Sequence, residues 1–432
     1  MAKIRGISRI RSNLFRLSTY LLFLMESNGM KTLCSALLLL WSSLVWAQGR
    51  MSSSDLSFLY DEEHEFLVRH KTVSQGNQFK VYFNFMLNSG NVRISDFQLS
   101  YDVRGSYIDE KSVTENTRID TSQVVDIAFR QYTYELNFER EENDKLLVVD
   151  VYNIIKDTHY YIDIPLIEAD TPPPSFLLME VDKDIPYFAR YLNRNRAVRL
   201  VNPFGTPLNY EISGIENNKA VAMPPFDETE QPQPSEVLLD TLYGVNEGEV
   251  FEFYNEGFYT IRAAQAPNQS LKILVADEFY PYFNDYSELV QPLIYVTTND
   301  EYKALRGPEE TRLVFEEFVN NTISANERIA KDFIKFYYRR VRKAARLFTE
   351  NKAGWKTDRG MVYIIMGDPI QVFRNERTEL WVFPDSEGGR IRFIFDIVQE
   401  DGITKHKLIR GKRYKENWLL AVSQWRNGRI IE

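Results

Sequence analysis

The side chains best suited to acid–base work lie in the last quarter of the chain: Asp358, Arg359, Arg374 and Glu379. Brought together by folding, a carboxylate pair flanked by guanidinium groups can divide proton donation and abstraction between its members. The ordinary use of the same four residues is a structural Asp–Arg bond, and that use is the expected one. Elsewhere the chemistry is thin. The four histidines, His64, His70, His159 and His406, are scattered, and the first pair stands six apart, unlike the spacings of a helical or turn zinc site. No His-Glu-x-x-His, Gly-x-Ser-x-Gly or phosphate-binding glycine loop occurs. The sequence therefore points to no catalytic residue, no metal and no cofactor.

Asp358 and Arg359 sit inside "AGWKTDRGMVYIIMGDP", residues 353–369. Gly354 is expected to end the preceding helix as a left-handed residue. Trp355 then folds back on that helix, while Thr357 and Asp358 bond nearby backbone N–H groups in a tight turn. Gly360 is expected to supply a positive φ. Residues 361–366 read as a strand buried on both faces, closed by Gly367, Asp368 and Pro369.

The preceding helix is expected to start at a capping box, Ser324 to Glu327. Its apolar stripe is Ala330, Phe333, Ile334, Tyr337, Val341, Ala344, Ala345 and Phe348. Its other face carries Lys335, Arg339, Arg342, Lys343 and Arg346, either a solvated surface or a polyanion-binding one. A meander with Trp381 in its first long strand follows. The last helix presents Trp418, Leu419, Val422 and Trp425 on one face. Clustered tryptophans mark a binding groove or fill a thin core, and core is the expectation here.

The elements that must hold this region are strand-rich. "FKVYFNFML" places Phe79, Val81, Phe83, Phe85 and Leu87 on one face, and similar alternation recurs to residue 168. Six or seven short strands in about 100 residues point to an immunoglobulin-like sandwich over 48–170. "DTPPPS" breaks the pattern. A second sandwich is expected over 175–277, with 223–235 as an exposed loop. An aromatic linker (278–307), a helical segment starting after Pro308 (308–350) and a small α+β module (351–432) complete a multidomain, mainly β chain.

Residues 30–47 carry a lysine, an apolar run of about 12 residues and small residues before Gln48. That is a secretory signal cut after Ala47, too short to span a bilayer, which takes about 20. Met30 is the expected true start, and the mature chain then loses Cys34, its one cysteine. Charge is uneven: +5 on residues 1–47, +9 on 324–432 and −23 between them, for −9 overall. The basic end either steers an anionic partner or docks on the acidic body.

Gly354-Trp355-Lys356-Thr357-Asp358, with Arg359-Gly360, a strand and Gly367-x-Pro369, resembles the GWxTD domain family of exported bacterial proteins. The resemblance covers about residues 300–432. It implies an envelope setting and brings no reaction or ligand, hence no catalytic residues. The expected function is non-enzymatic: an exported periplasmic or outer-membrane-associated protein that binds a protein partner through its C-terminal module. Glycan or peptidoglycan binding, or a hydrolase using the motif carboxylates, are the alternatives. Nucleic acid and a membrane span in the mature chain are not expected.

Overall fold

Alternation of apolar and polar residues drives the first third of the chain into sheet. The computed structural model describes residues 50–109, 116–167, 171–229, 234–239, 243–307, 310–385 and 388–429. The signal segment with Met30 and Cys34, and Pro308 and Glu309, lie outside the described residues. Eight strands form the first β module: β1 (Phe66–Gln75), β2 (Gln78–Leu87), β3 (Phe97–Arg104), β4 (Thr117–Ile119), β5 (Val124–Ala128), β6 (Gln131–Glu139), β7 (Leu146–Asn153) and β8 (Thr158–Pro165). They make two antiparallel sheets, β1-β2-β6-β5 and β4-β3-β7-β8. The alternating face of β2, Phe79 to Leu87, is buried, and Phe85 meets Phe97 of the other sheet at 5.3 Å. The opposite face of β2 is covered too. Tyr82 clusters there with Val73, Leu177, Met179 and Phe188, which joins the first β module to the second.

The second module holds β9 (Leu177–Glu180), β10 (Tyr191–Asn193), β11 (Val198–Val201), β12 (Asn209–Ile215), β13 (Tyr243–Asn246), β14 (Val250–Phe251), β15 (Gly257–Ala263) and β16 (Ala266–Ala276). Its sheets are β10-β16-β15-β12-β13 and β14-β11-β9, packed over a core of its own. The described part of 223–235 has no helix or strand, with Glu228 and Thr229 exposed and Pro225 buried. Ala222 N–H donates to the Lys356 carbonyl (2.9 Å) and Gly411 N–H to that of Pro225 (3.0 Å), so the start of the segment lies against the C-terminal module.

That module contains α1 (Tyr286–Val290), α2 (Asn299–Leu305), α3 (Thr311–Phe318), α4 (Glu327–Phe348), α5 (Asp358–Met366) and α6 (Lys415–Arg426). It also holds an antiparallel meander, β17 (Gln371–Arg374), β18 (Thr378–Pro384), β19 (Arg390–Glu400) and β20 (Ile403–Leu408). The chain is mainly β, with five sheets and six α-helices among the described residues. None of those helices is long and apolar enough to cross a membrane.

Residues 361–366 are helical, the largest departure from the sequence expectation. Thr357 caps the helix, its Oγ1 accepting from Gly360 N–H at 3.0 Å, and Asp358 sits in the first turn, where a carboxylate favours the helix dipole. The helix is buried from Arg359 to Ile365. Burial on all sides erases the amphipathic stripe, and a short apolar run then reads equally as strand or helix. Two smaller corrections concern α4 and α6. The N-cap of α4 is Asn326, whose Oδ1 accepts from Arg328 N–H (3.0 Å) and Ile329 N–H (3.4 Å), not Ser324. In α6, Trp418, Ala421 and Trp425 are buried while Leu419 is exposed.

The apolar core is continuous from the first β module into the C-terminal module. The segment before β1 makes part of that continuity: Leu56 N–H donates to the Val372 carbonyl (2.8 Å), and Val372 N–H donates to Asp55 (2.9 Å), on the edge of β17.

Candidate functional site

The 353–369 stretch is a junction where α4 turns into α5 at close quarters. α4 ends at Phe348, with Thr349 as its C-cap, so Gly354 does not terminate it. Gly354 opens a 3₁₀ turn, Gly354–Lys356, and is not among the described residues with positive φ. It is glycine because α4 leaves no room: a Cβ there would overlap the Ala344 carbonyl and stand 2.8 Å from Thr349 N and 2.9 Å from Ala345 Cα. Gly360 does not supply a positive φ either. It lies in the first turn of α5, pressed on the Gly354 carbonyl, with Trp355 Cα 3.1 Å from where its Cβ would be. Gly367 alone of the three is left-handed, with φ +90 at the end of α5, and Pro369 is buried beyond it.

Trp355 is buried, its carbonyl accepts from Tyr295 OH at 2.8 Å, and the linker's Tyr280 OH reaches Thr349 Oγ1 at 2.9 Å. The aromatic linker thus packs on the junction. Asp358 is not a local turn former. Its carboxylate accepts from Leu408 N–H (2.8 Å) and from the Arg410 guanidinium (2.6 Å), tying α5 to the end of β20. Arg340 packs over the other end of α5, Nη1 donating to the carbonyls of Ile364 and Ile365 at 3.3 Å each, where a cation offsets the dipole.

Of the four charged residues singled out in the sequence, Arg359, Arg374 and Glu379 meet and Asp358 does not. Glu379, fully buried on β18, is the centre. Its Oε1 accepts from Tyr60 OH (2.9 Å) and Trp381 Nε1 (2.7 Å), and its Oε2 from Arg374 Nε (2.7 Å). Arg359 Nη1 lies 3.6 Å from Oε1 and His406 Nε2 3.7 Å from Oε2. Arg374 also reaches Asp163 of β8 with Nη1 at 2.8 Å, and Tyr107 OH donates to the same carboxylate at 2.8 Å. Glu350, just past α4, sits 3.4 Å from Arg359 Nη2 and accepts from His406 N–H at 3.3 Å.

The electrostatics follow from burial and neighbours. Burial raises the Glu379 carboxyl, but Arg374 and then Arg359 overcome it and hold the group well below the usual carboxylate range. Burial and Glu379 push the Tyr60 phenol up to about 12. Burial, then Arg359, lower the His406 imidazole to about 4, so it is neutral at pH 7. Its Nδ1 and the Arg359 Nε are buried with no hydrogen-bond partner among the described residues. The cluster is thus an ionised carboxylate locked by arginines, a neutral imidazole and a protonated phenol. Through Asp163 it joins the first β module to the meander.

Residues 257–427 match the family model of the GWxTD domain. The chain carries a GWxTD domain. Comparison with curated proteins and with solved structures gave no match. The GWxTD domain as matched begins at Gly257, in β15, so it takes in the last two strands of the second β module as well as the helices and meander.

The remaining sequence-derived candidates fall apart as a group. On α4, Lys335 and Arg339 are exposed and bracket Phe336 at 5.4 and 5.0 Å. Arg342 leans on Tyr282, Lys343 is buried 3.6 Å from Asp368, and Arg346 forms a two-pronged pair with Glu62 at 2.9 and 2.7 Å. The five therefore do not form one free basic face. Trp355, Trp381, Trp418 and Trp425 are all buried, as filling for the GWxTD domain core. Tyr60, Tyr107, Asp163 and Glu350 complete the charge network and carry no local signal, because Tyr60 lies 319 residues and Asp163 211 residues from their partners.

Proposed function

We propose that this is an exported, non-enzymatic envelope protein in which the GWxTD motif is a folding device and the C-terminal module presents a surface to a protein partner. The observation that carries the reading is the internal use of the motif: Gly354, Trp355, Thr357, Arg359 and Gly360 are buried, and Asp358 is spent on Arg410 and a backbone N–H. A general acid or base needs an approach for its substrate. Glu379 is sealed and fully hydrogen-bonded, and Asp358 is held by a guanidinium, which argues against the hydrolase alternative. Tryptophan platforms for a glycan have no support either, since all four described tryptophans are interior.

On this reading the two β modules are immunoglobulin-like spacers. The N-terminal segment directs export, with cleavage after Ala47, to the periplasm or the outer membrane. The surface offered to the partner is the exposed part of α4 around Lys335, Phe336 and Arg339.

The test is affinity capture from crosslinked envelopes with the mature chain, the Lys335→Glu/Arg339→Glu variant and Trp355→Ala. The double variant is expected to lose the partner at unchanged melting temperature. Trp355→Ala is expected to lower the stability of the C-terminal module by about 3–5 kcal/mol, the cost of emptying a buried indole site. Unchanged melting of Trp355→Ala together with lost capture makes the motif the binding site and overturns the proposal. Sedimentation with purified cell wall, with no protein partner captured, moves the glycan reading to the front.

A further inference from the structure

A second concentration of charge lies where the two β modules meet. The crevice there is walled by Lys71 on β1, Leu177 and Leu178 on β9, Arg190 just before β10, and Lys272 on β16. Its volume is about 60 Å³. A water needs about 10–15 Å³ on the same measure, so the space takes several waters or one small polyatomic ion.

Three cations border this space and no carboxylate does. Lys272 is turned to the carbonyl of Asp401. Lys71 and Arg190 have no hydrogen bond or ion pair among the described residues. Lys71 is half-buried and Arg190 exposed, so both border the crevice while the guanidinium keeps contact with bulk water. The two come from different modules, and Lys71 lies in the field of Arg190. Burial and then Arg190 lower the Lys71 ammonium to about 8, which leaves it cationic at neutral pH. Burial, then Arg190 and Lys71, lower the neighbouring His70 imidazole to about 3.

We propose that this crevice binds a small phosphate-class oxyanion, free or as the head group of a larger molecule, held between Lys71 and Arg190. A guanidinium fork engages two oxygens of such an ion, and an ammonium on the facing wall takes a third. The leucine wall keeps competing water low and so strengthens both contacts. Because Lys71 belongs to the first β module and Arg190 to the second, the bound ion also braces one module against the other. The site is independent of the partner-binding surface on α4.

The experiment is calorimetric titration of the mature chain with inorganic phosphate and with glycerol 3-phosphate, alongside thermal melts in phosphate and in sodium chloride of matched ionic strength. One site per chain is expected, with phosphate raising the melting temperature by at least ~2 °C at saturating concentration. Lys71→Met and Arg190→Met are each expected to weaken binding about tenfold or more, the loss of one charge-assisted contact. Lys71→Arg, which keeps the charge, is expected to bind within a few-fold of the parent. Each methionine variant removes like-charge repulsion, so its melting temperature without phosphate should be unchanged or higher. Tighter binding of glycerol 3-phosphate assigns the site to a phosphomonoester head group, and tighter binding of inorganic phosphate to the free ion. A melt in phosphate that matches the chloride control overturns the proposal, as does binding undiminished in both methionine variants.

Discussion

Gly360 sets two residue-level effects against each other. In an exposed helix, Gly→Ala stabilises by about 1 kcal/mol because alanine has less backbone freedom to lose. At Gly360 the added methyl would meet the carbonyl carbon of Gly354 at 2.8 Å and overlap its oxygen. Backbone cannot step aside as the end of a side chain can, so overpacking of about 1–3 kcal/mol or more is expected to win. Gly360→Ala should therefore lower the denaturant midpoint of the C-terminal module, and Gly354→Ala should do the same for the matching reason on the α4 side. A midpoint raised by Gly360→Ala would show that the junction is looser than these contacts imply. The motif was legible in the sequence as a run of glycines with a purpose, but the purpose was misread. Sequence favours the left-handed explanation of glycine, whereas close approach of two backbones is visible only once both are placed.

α5 shows how an element is specified from outside its own pattern. Its first turn is marked by Thr357 and Asp358, both good helix starters, while the run Met361–Met366 carries no period that excludes a strand. Thr357 does double duty: its Oγ1 accepts from Gly360 N–H and donates to the Gly354 carbonyl at 2.7 Å. Thr357→Ala is expected to cost about 1–2 kcal/mol, and Thr357→Ser, which keeps both bonds, much less. Equal losses for the two variants, measured by chemical denaturation, would mean that the methyl and not the hydroxyl matters. The stripe of α4 was readable at the same scale, because one face of that helix meets the core and the other meets water. α5 has no such contrast, since it is covered on every side.

Across the whole molecule, the network around Glu379 joins segments that local patterns cannot connect. Removing one partner of a buried charge set costs more than the set contributes, because the remaining charges stay desolvated. Glu379→Gln is expected to destabilise by roughly 3–5 kcal/mol, with the first β module and the meander losing their mutual protection in hydrogen exchange. Acid should act in the same direction. His406 is held neutral, its pKa lowered to about 4 by burial and then Arg359, while in the unfolded chain it titrates near 6.5. Between those values the unfolded state binds the extra proton, so the stability present above about pH 6.5 is lost as the pH falls towards 4, on the order of 3 kcal/mol over the window. His70 is shifted the same way. Melting temperatures should drop through this range, and His406→Gln should flatten the slope if it folds. A pH profile unchanged by that substitution would assign the acid sensitivity elsewhere.

By itself, the sequence determined the strand-rich body, the amphipathic α4, the meander and the membership of the C-terminal region in the GWxTD domain family, because each rests on short-range spacing or a local motif. Residues two, three or four apart are forced to share a face by backbone geometry. The tertiary structure alone decided that 361–366 is helix, that Asp358 leaves the charge cluster for Arg410, and that Tyr60 and Asp163 enter it. It also decided that the main core of the first β module runs on into the last module, with a smaller cluster around Tyr82 joining it to its neighbour in the chain. The physical reason is common to all four. Each depends on which surfaces exclude water together, and that is a property of segments hundreds of residues apart, set only when they pack.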